Sequence, residues 1–136
     1  METKSILQGL FKVLFPMEIS LHFEIKDVQE HNDRVCIRLE ELPELVPDGL
    51  RDVTDVSLDG FCNPVELQSF PLKGKPVYLQ VYRRRWKRKG DSTHYSNTYN
   101  LHPEGVKATS DFAAFLKDTL GYTPDEYNDY LRSIVR

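Results

Sequence analysis

A run of cationic side chains is the feature of this sequence with the clearest chemical meaning. Within residues 77–95, VYLQVYRRRWKRKGDSTHY, six cations occupy six of seven consecutive positions, and a tryptophan occupies the other. In chain order the run reads Arg83, Arg84, Arg85, Trp86, Lys87, Arg88 and Lys89. Arg and Lys neutralise phosphates and release counterions, which gives affinity for a nucleic-acid backbone regardless of its sequence. The run is therefore a candidate nucleic-acid-binding site.

An alternating strand pattern leads into this run and predicts how it is held. One face of a strand over residues 77–86 starts apolar and then becomes cationic, in the order Val77, Leu79, Val81, Arg83 and Arg85. Because the apolar positions end there, we expect the strand to leave the core near Arg83. Gly90-Asp91 is the expected tip of a basic β-hairpin that projects into solvent, and residues 93–101 are the expected returning strand.

Other side chains of the predicted hairpin suit contacts with bases, sugars and phosphates. Rings that could stack on unpaired bases are Tyr78, Tyr82, Trp86 and Tyr95. Hydroxyl and amide groups for phosphate contacts are Ser92, Thr93, Ser96 and Asn97. Lys73 and Lys75 extend the basic segment before the strand. The predicted nucleic-acid site therefore joins these two lysines and Tyr82 to the run from Arg83 to Lys89.

The net charge of −3 hides a strong asymmetry that leaves other interpretations open. Residues 67–90 carry eight cations and no acid, whereas residues 24–66 carry four cations and twelve acids. The basic segment could pair with the acidic segment within the fold or across a dimer. A Lys- and Arg-rich edge hairpin also prevents edge-to-edge aggregation. The residues alone favour neither nucleic-acid contact nor charge pairing over the other.

The sequence offers no motif for catalysis, a metal or a cofactor. GxSxG, HExxH, P-loop and GxGxxG patterns are all absent. Cys36 and Cys62 form no CxxC pair, so we interpret both as free thiols. His94 and His102 lie near the hairpin, but nothing in their spacing fixes a catalytic geometry. We therefore expect no cofactor, no bound metal and no independent enzymatic activity.

The apolar patterns predict an α+β fold in a single domain over residues 1–136. A helix over residues 6–14 is expected to end at Pro16, and a short helical piece to follow over 17–22. Predicted strands cover 23–30, 34–40, 56–60 and 65–70, before the strand at 77–86, and they favour a largely antiparallel sheet. Two C-terminal helices are expected, one capped by Thr109 or Ser110 and closed by Gly121, the other over residues 123–135.

The length of the apolar runs excludes a membrane-spanning segment. No run approaches the ~20 residues that a transmembrane helix requires. The opening METKSILQGLFKVLFP is interrupted by Lys12 and lacks the cleavage site of a signal peptide. We therefore expect a cytoplasmic protein with no membrane partner.

Three segments carry a resemblance to a known family. They are PMEISLHFEI at 16–25, FPLKGKPVYLQVYRRRWKRKG at 70–90 and YNLHPEGVKATSDFAAFLKD at 99–118. Together they resemble the N-terminal region of a group of bacterial insertion-sequence transposases of the DDE type. The similarity spans about residues 10–120 and is most specific in RRRW and FAAFLK.

The resemblance implies an accessory module of DNA transposition, encoded as its own short chain beside a DDE catalytic domain. The implied role is to bind transposon-end DNA through the basic hairpin, or to assemble the transposase on that DNA. The alternative is a protein–protein interaction module that docks to a catalytic transposase chain, or to another partner, without direct DNA contact. A homo-oligomer is compatible with either role.

Overall fold

The predicted α+β class is confirmed, with helices at both ends of the chain and strands between them. The computed structural model describes residues 2–134, apart from the side chains of residues 2, 4 and 134. The α-helices are α1 (Glu2–Leu14), α2 (Met17–Ser20), α3 (Ser110–Phe115) and α4 (Pro124–Ile134). The strands are β1 (Phe23–Glu30), β2 (Val35–Glu41), β3 (Val56–Phe61), β4 (Val65–Leu72), β5 (Lys75–Tyr82), β6 (Arg84–Arg88) and β7 (His94–Tyr95).

A four-stranded sheet in the order β1-β2-β5-β4 holds the main core. Its pairs are antiparallel except β2 with β5, which run parallel. Leu39, Leu67 and Leu79 lie fully buried on one face because apolar side chains alternate along these strands. Phe15, Ile19 and Phe23 pack against that face.

The turn between β4 and β5 is tight and has a specific backbone requirement. Lys73 and Gly74 have φ of 56° and 73°, and they connect Leu72 to its cross-strand partner Lys75. Positive φ at both central residues matches the right-handed twist of the flanking strands. This geometry places Lys73 and Lys75 at the start of β5, away from the end of the strand that leads to the basic hairpin.

The second sheet corrects the expected path of the basic segment. The predicted single strand over 77–86 is wrong, because the ladder of the first sheet ends at Tyr82 and a new strand begins at Arg84. β6 lies between β3 and β7 and is antiparallel to both. The returning strand is also shorter than the predicted 93–101. It comprises only His94 and Tyr95, since Asn97 and Tyr99 turn back to bond elsewhere in the fold.

The C-terminal helices begin and end as their sequence signals predict. Thr109 Oγ1 accepts a hydrogen bond from the Phe112 N–H at the start of α3. After a π-helical turn over Leu116–Leu120, Gly121 at φ 70° closes the segment. Thr123 and Glu126 form a reciprocal capping box at α4. The predicted end of α4 at residue 135 lies outside the described residues.

The N-terminal helix is present as predicted and ends before Pro16. It contacts the body of the protein through Phe11 and Phe15, whose ring centroids are 5.1 Å apart. The other apolar side chains of α1 stay exposed. None of the helices described within residues 2–134 has the length and apolar character to cross a membrane.

Candidate nucleic-acid interface at the basic hairpin

The hairpin forms where the chain passes from one sheet to the other. At Arg83 the carbonyl accepts a hydrogen bond from the Cys62 N–H at 2.9 Å, and Nη1 donates to the Asn97 carbonyl at 2.8 Å. The next residue, Arg84, donates its backbone N–H to Glu41 Oε1 and its Nε–H to the Glu41 carbonyl, both at 2.7 Å. The first two arginines of the run therefore hold the base of the hairpin in place.

Glu41 is the centre of this arrangement and is fully buried. Besides the Arg84 N–H, its carboxylate accepts hydrogen bonds from Asn97 Nδ2 at 2.9 Å and from the Tyr99 hydroxyl. Burial, together with the hydrogen bond to this carboxylate, raises the pKa of Tyr99. Both carboxylate oxygens are thus satisfied by donors from the hairpin and from the segment that follows it, which is the condition for burying such a group.

The ring of Tyr82 is covered by one cation of the fold itself, Arg38. The Arg38 guanidinium lies 3.8 Å from the centroid of its ring, and Arg84 lies 5.0 Å from the neighbouring ring of Phe61. Arg38 also donates to Glu40 at 2.8 Å. Tyr82 therefore takes part in an internal cation–π contact instead of presenting an open face for a base.

Trp86 is buried, so the expectation that the hairpin projects into solvent is wrong at this position. The side chain is 6 % exposed and stands between its cross-strand neighbours Leu58 and Tyr95. Its Nε1 has no hydrogen-bond partner among the described residues. Trp86 fills the inner face of the small sheet because β3 and β7 flank it, a placement that sequence alternation could not predict.

Arg85 lies on the opposite face of β6 and shares a carboxylate with His94. Its Nε–H donates to the Asp59 carbonyl at 2.9 Å, and Nη2 lies 3.7 Å from Asp59 Oδ2. His94 Nε2 lies 2.7 Å from the same oxygen. The hydrogen bond with His94, aided by the nearby Lys87 and Arg85, lowers the pKa of Asp59. One carboxylate is thus surrounded by cations and is kept ionised.

The end of the hairpin differs from its base because its cations are exposed. Lys87, Arg88 and Lys89 are all exposed, and Arg88 has an ion pair with Asp55 at 3.5 Å. Lys87 and Lys89 make no ion pair with the described carboxylates. We call Lys87–Lys89 the basic tip. It offers three cations to solvent on one short segment.

The loop beyond the basic tip is held by its own hydrogen bonds. Asp91 accepts from the Thr93 N–H at 2.8 Å and from the Tyr95 hydroxyl at 2.9 Å. The bond from the Thr93 N–H, and to a smaller extent the bond from Tyr95, lower the pKa of Asp91. The hydrogen bond to Asp91 in turn raises the pKa of Tyr95. Thr93 and Ser92 remain exposed beside the basic tip. The local bonds therefore order the loop that presents the tip.

Two of the residues assigned to the nucleic-acid site, and one of the rings considered for stacking on bases, lie elsewhere in the structure. Lys73 and Lys75 both pair with Glu30, at 2.9 and 3.0 Å, and these bonds lower the pKa of Glu30. The length of β5 separates them from the hairpin by about 25 Å, at ~3.3 Å per residue. Tyr78 lines a groove of about 680 Å³ beside α4, together with Asn128 and other polar residues. The predicted set is therefore not one surface.

The sequence pattern identified the cations but not their partners. Glu41, Asp55 and Asp59 were recognised only as members of an acidic segment, and no spacing rule assigned each to a particular arginine. Within residues 2–134, no cluster of His, Cys, Asp and Glu is arranged to hold a metal ion, and Cys36 and Cys62 are free thiols. The arrangement can bind an anion at the basic tip and can hold the hairpin rigid at its base.

Comparison of the chain with protein-family models, with curated proteins and with solved structures finds no match.

Proposed function

We propose that this protein is an accessory module of an insertion-sequence transposase and that it contacts transposon-end DNA through the basic tip. The observation that carries the proposal is the exposure of Lys87, Arg88 and Lys89 on one short segment, in a chain that is acidic overall. The transposase part of the proposal rests on the sequence resemblance at residues 16–25, 70–90 and 99–118.

The charge balance around the hairpin supports DNA contact after internal pairing is counted. Residues 83–95 carry six Lys and Arg and one acid, Asp91. Asp55 and Asp59 pair with Arg88 and Arg85, Glu40 lies 3.9 Å from Arg84, and the buried Glu41 accepts from the Arg84 backbone N–H. With Asp91 these are five carboxylates against six cations, an excess of one, and Lys87 and Lys89 have no ion pair to the described carboxylates. A net positive surface attracts a phosphate backbone even when several of its cations are engaged.

The proposed contact is with phosphates and not with bases. The exposed groups are ammonium and guanidinium ions beside the hydroxyls of Ser92 and Thr93, whereas Trp86 is buried and Tyr82 and Tyr95 are half-buried. Lys acts as a point charge toward phosphate, and hydroxyl groups add positional contacts. We therefore expect binding that depends strongly on salt and weakly on base sequence.

A titration of labelled duplex DNA by fluorescence anisotropy at ~50 and ~200 mM salt tests this proposal. We expect the wild-type protein to bind in the non-specific range, with a Kd of about 10⁻⁴–10⁻⁶ M, and to bind more weakly as salt rises. Changing Lys87, Arg88 and Lys89 together to Gln should weaken binding at least about tenfold. The same change should reduce the salt slope by about one for each phosphate that the protein no longer neutralises.

A matched variant separates a local site from a general reduction of charge. Lys12→Gln, Lys26→Gln and Arg34→Gln together remove the same charge from three exposed positions outside the hairpin. This control should bind duplex DNA like the wild-type protein. Equal weakening in both variants, or the absence of salt-dependent binding by the folded wild-type protein, would contradict the proposal.

A second candidate function is docking to a protein partner without DNA contact. The observation that favours it is the apolar face of α1, which is exposed from Ile6 to Leu14. Failure of the DNA titration, combined with a stable complex between this chain and a purified catalytic transposase chain, would select this candidate. Such a complex should be insensitive to the three changes in the basic tip.

A further inference from the structure

The exposed stripe of α1 is the least expected surface of the molecule. Its side chains are between 43 and 82 % exposed, and they are Ile6, Leu7, Leu10, Val13 and Leu14. At 100° per residue they cover about 120° of the helix surface, beside the Phe11–Phe15 edge that packs on the body. We call these five residues the α1 stripe. A helix of a monomer would normally turn such a stripe to its core.

The stripe is as large as the largest apolar patches of monomers, which are often functional surfaces. Its exposed side-chain area is on the order of 600 Å², the upper limit for the largest apolar patch of a typical monomer. A stable protein–protein interface of standard size buries ~800 Å² on each partner. The stripe supplies most of that area, and Met17, at the start of α2 and 73 % exposed, extends it. A partner that covers it must present a comparable apolar surface.

The chemistry of the stripe favours an uncharged partner. Lys12 is the one charged residue in the sequence of segment 5–17. It lies on the side of the helix opposite the α1 stripe. Nucleic acid or a strongly acidic or basic protein would gain nothing from such a surface. An identical stripe on a second copy has the required apolar character and the same length.

The positions of the stripe are symmetric about Leu10. Two antiparallel helices that meet at Leu10 place Leu7 opposite Val13 and Ile6 opposite Leu14 of the other copy. Every member of the stripe then faces an apolar side chain, as an interface with two-fold symmetry requires. The antiparallel arrangement also opposes the helix dipoles favourably. In this arrangement the rest of each subunit, which follows its helix at Phe15, lies at the opposite end of the helix pair from the rest of the other subunit.

A second exposed apolar surface, on the edge strand β1, is guarded against pairing, and the stripe is not. The edge strand β1 exposes Ile25 and Val28, but its ladder is interrupted by a bulge at Lys26, and charged residues alternate with the apolar ones. Bulges and charges on an edge strand prevent association with other strands. Neither device is present along α1. Of these two surfaces, the helix is the one open to self-association.

We infer that this chain forms a homodimer in which the α1 stripes of two copies pack antiparallel across a two-fold axis at Leu10. The inference is independent of DNA contact by the hairpin. In the dimer the five residues of the stripe lose most of their exposure. The basic tips belong to different subunits, so the dimer presents two of them.

Sedimentation equilibrium or light scattering after size exclusion, over a range of protein concentrations, measures the association. We expect the wild-type protein to approach twice the 15.9 kDa mass of the chain as concentration rises. Leu10→Glu places two carboxylates against each other on the axis and should raise the dimer dissociation constant at least about 100-fold. Val28→Glu, a change of the same kind at an exposed position of β1, should leave the dissociation constant unchanged.

Cysteine cross-linking tests the orientation of the helices. Leu10→Cys should form an intermolecular disulfide under mild oxidation, with the wild-type protein as the control for Cys36 and Cys62. A mixture of Leu7→Cys and Val13→Cys chains should form the mixed disulfide, and Leu7→Cys alone should not, because position 7 faces position 13. A parallel pair would give the opposite result.

Several results would overturn the inference. One is a monomer up to several hundred micromolar protein, provided circular dichroism confirms a folded chain. Another is a dimer that survives Leu10→Glu but dissociates with Val28→Glu. A third is that no dimer is detected and the monomer instead binds neutral phosphatidylcholine vesicles or a catalytic transposase chain. If Leu10→Glu abolishes that binding, the stripe has a different occupant.

Discussion

The base and the tip of the basic hairpin have similar sequences and different roles. At the base, Arg84 is bonded to Glu41 and Trp86 is buried between two strands. At the tip, Lys87 and Lys89 extend into solvent without an ion pair to the described carboxylates. The two regions are only a few residues apart. Their environment, and not the residue types, decides whether a cation stabilises the fold or is available to a ligand.

The order of residue types along the run fits this division. Arginine occupies the three positions where donors must satisfy carbonyl and carboxylate oxygens, at Arg83, Arg84 and Arg85. A guanidinium group has five donors in a rigid plane and suits such sites, whereas an ammonium group is a compact, strongly hydrated charge. Both lysines of the run lie where the chain is exposed, together with Arg88. An Arg-to-Lys exchange at the base would therefore not be conservative.

The largest effect is expected from Glu41→Ala, which breaks the base without touching the tip. The Arg84 N–H, the Asn97 amide and the Tyr99 hydroxyl would be left without their buried acceptor. We expect the free energy of unfolding to fall by about 3–5 kcal/mol, as measured by urea denaturation. Glu44→Ala, at an exposed position of the following loop, should change it by less than ~0.5 kcal/mol. Equal stabilities would show that the buried network is dispensable.

A smaller effect is expected from Trp86→Phe, which separates packing from stacking on bases. An aromatic ring remains, and the indole N–H that lacks a partner is removed, so the cost in stability should stay below about 1.5 kcal/mol. DNA affinity should not change. Since Trp86 is the only tryptophan of the chain, its fluorescence reports directly on this site. Quenching of that fluorescence on DNA addition would contradict a buried role.

The smallest effect is expected from acid titration of the Asp59 contact on the outer face of β6. Its pKa is lowered from 3.8, so its ionised form adds stability at neutral pH, and the contribution disappears as the pH falls through the lowered value. Asp59→Asn should therefore be less stable than the wild-type protein at pH 7, and the difference should shrink below pH 3.8.

Denaturation midpoints at several pH values measure the difference. Asp52→Asn, at an exposed position without an ion pair to the described residues, should show no comparable pH dependence. A difference between wild type and Asp59→Asn that stays constant down to about pH 2 would assign the effect to the shape of the side chain and not to its charge.

Local patterns were sufficient for most of the elements. Alternation predicted β1, β2 and the apolar part of β5, and capping residues predicted the starts of α3 and α4. The returning strand predicted over 93–101 was wrong after Tyr95, because Asn97 and Tyr99 bond to Glu41, which is more than fifty residues away. Contacts of this separation leave no periodic signal in the sequence.

The candidate site, like the fold, was predictable from the sequence only in part. The sequence by itself determined that the chain concentrates its cations in one hairpin and its acids in the segment before it, and it determined an amphipathic N-terminal helix. Only the tertiary structure decided that Glu41 and Asp59 take up the first arginines, that Trp86 is buried, and that the α1 stripe faces solvent. The physical reason is that periodicity and charge are properties of neighbouring residues. Burial and pairing instead depend on which distant strands the fold brings together.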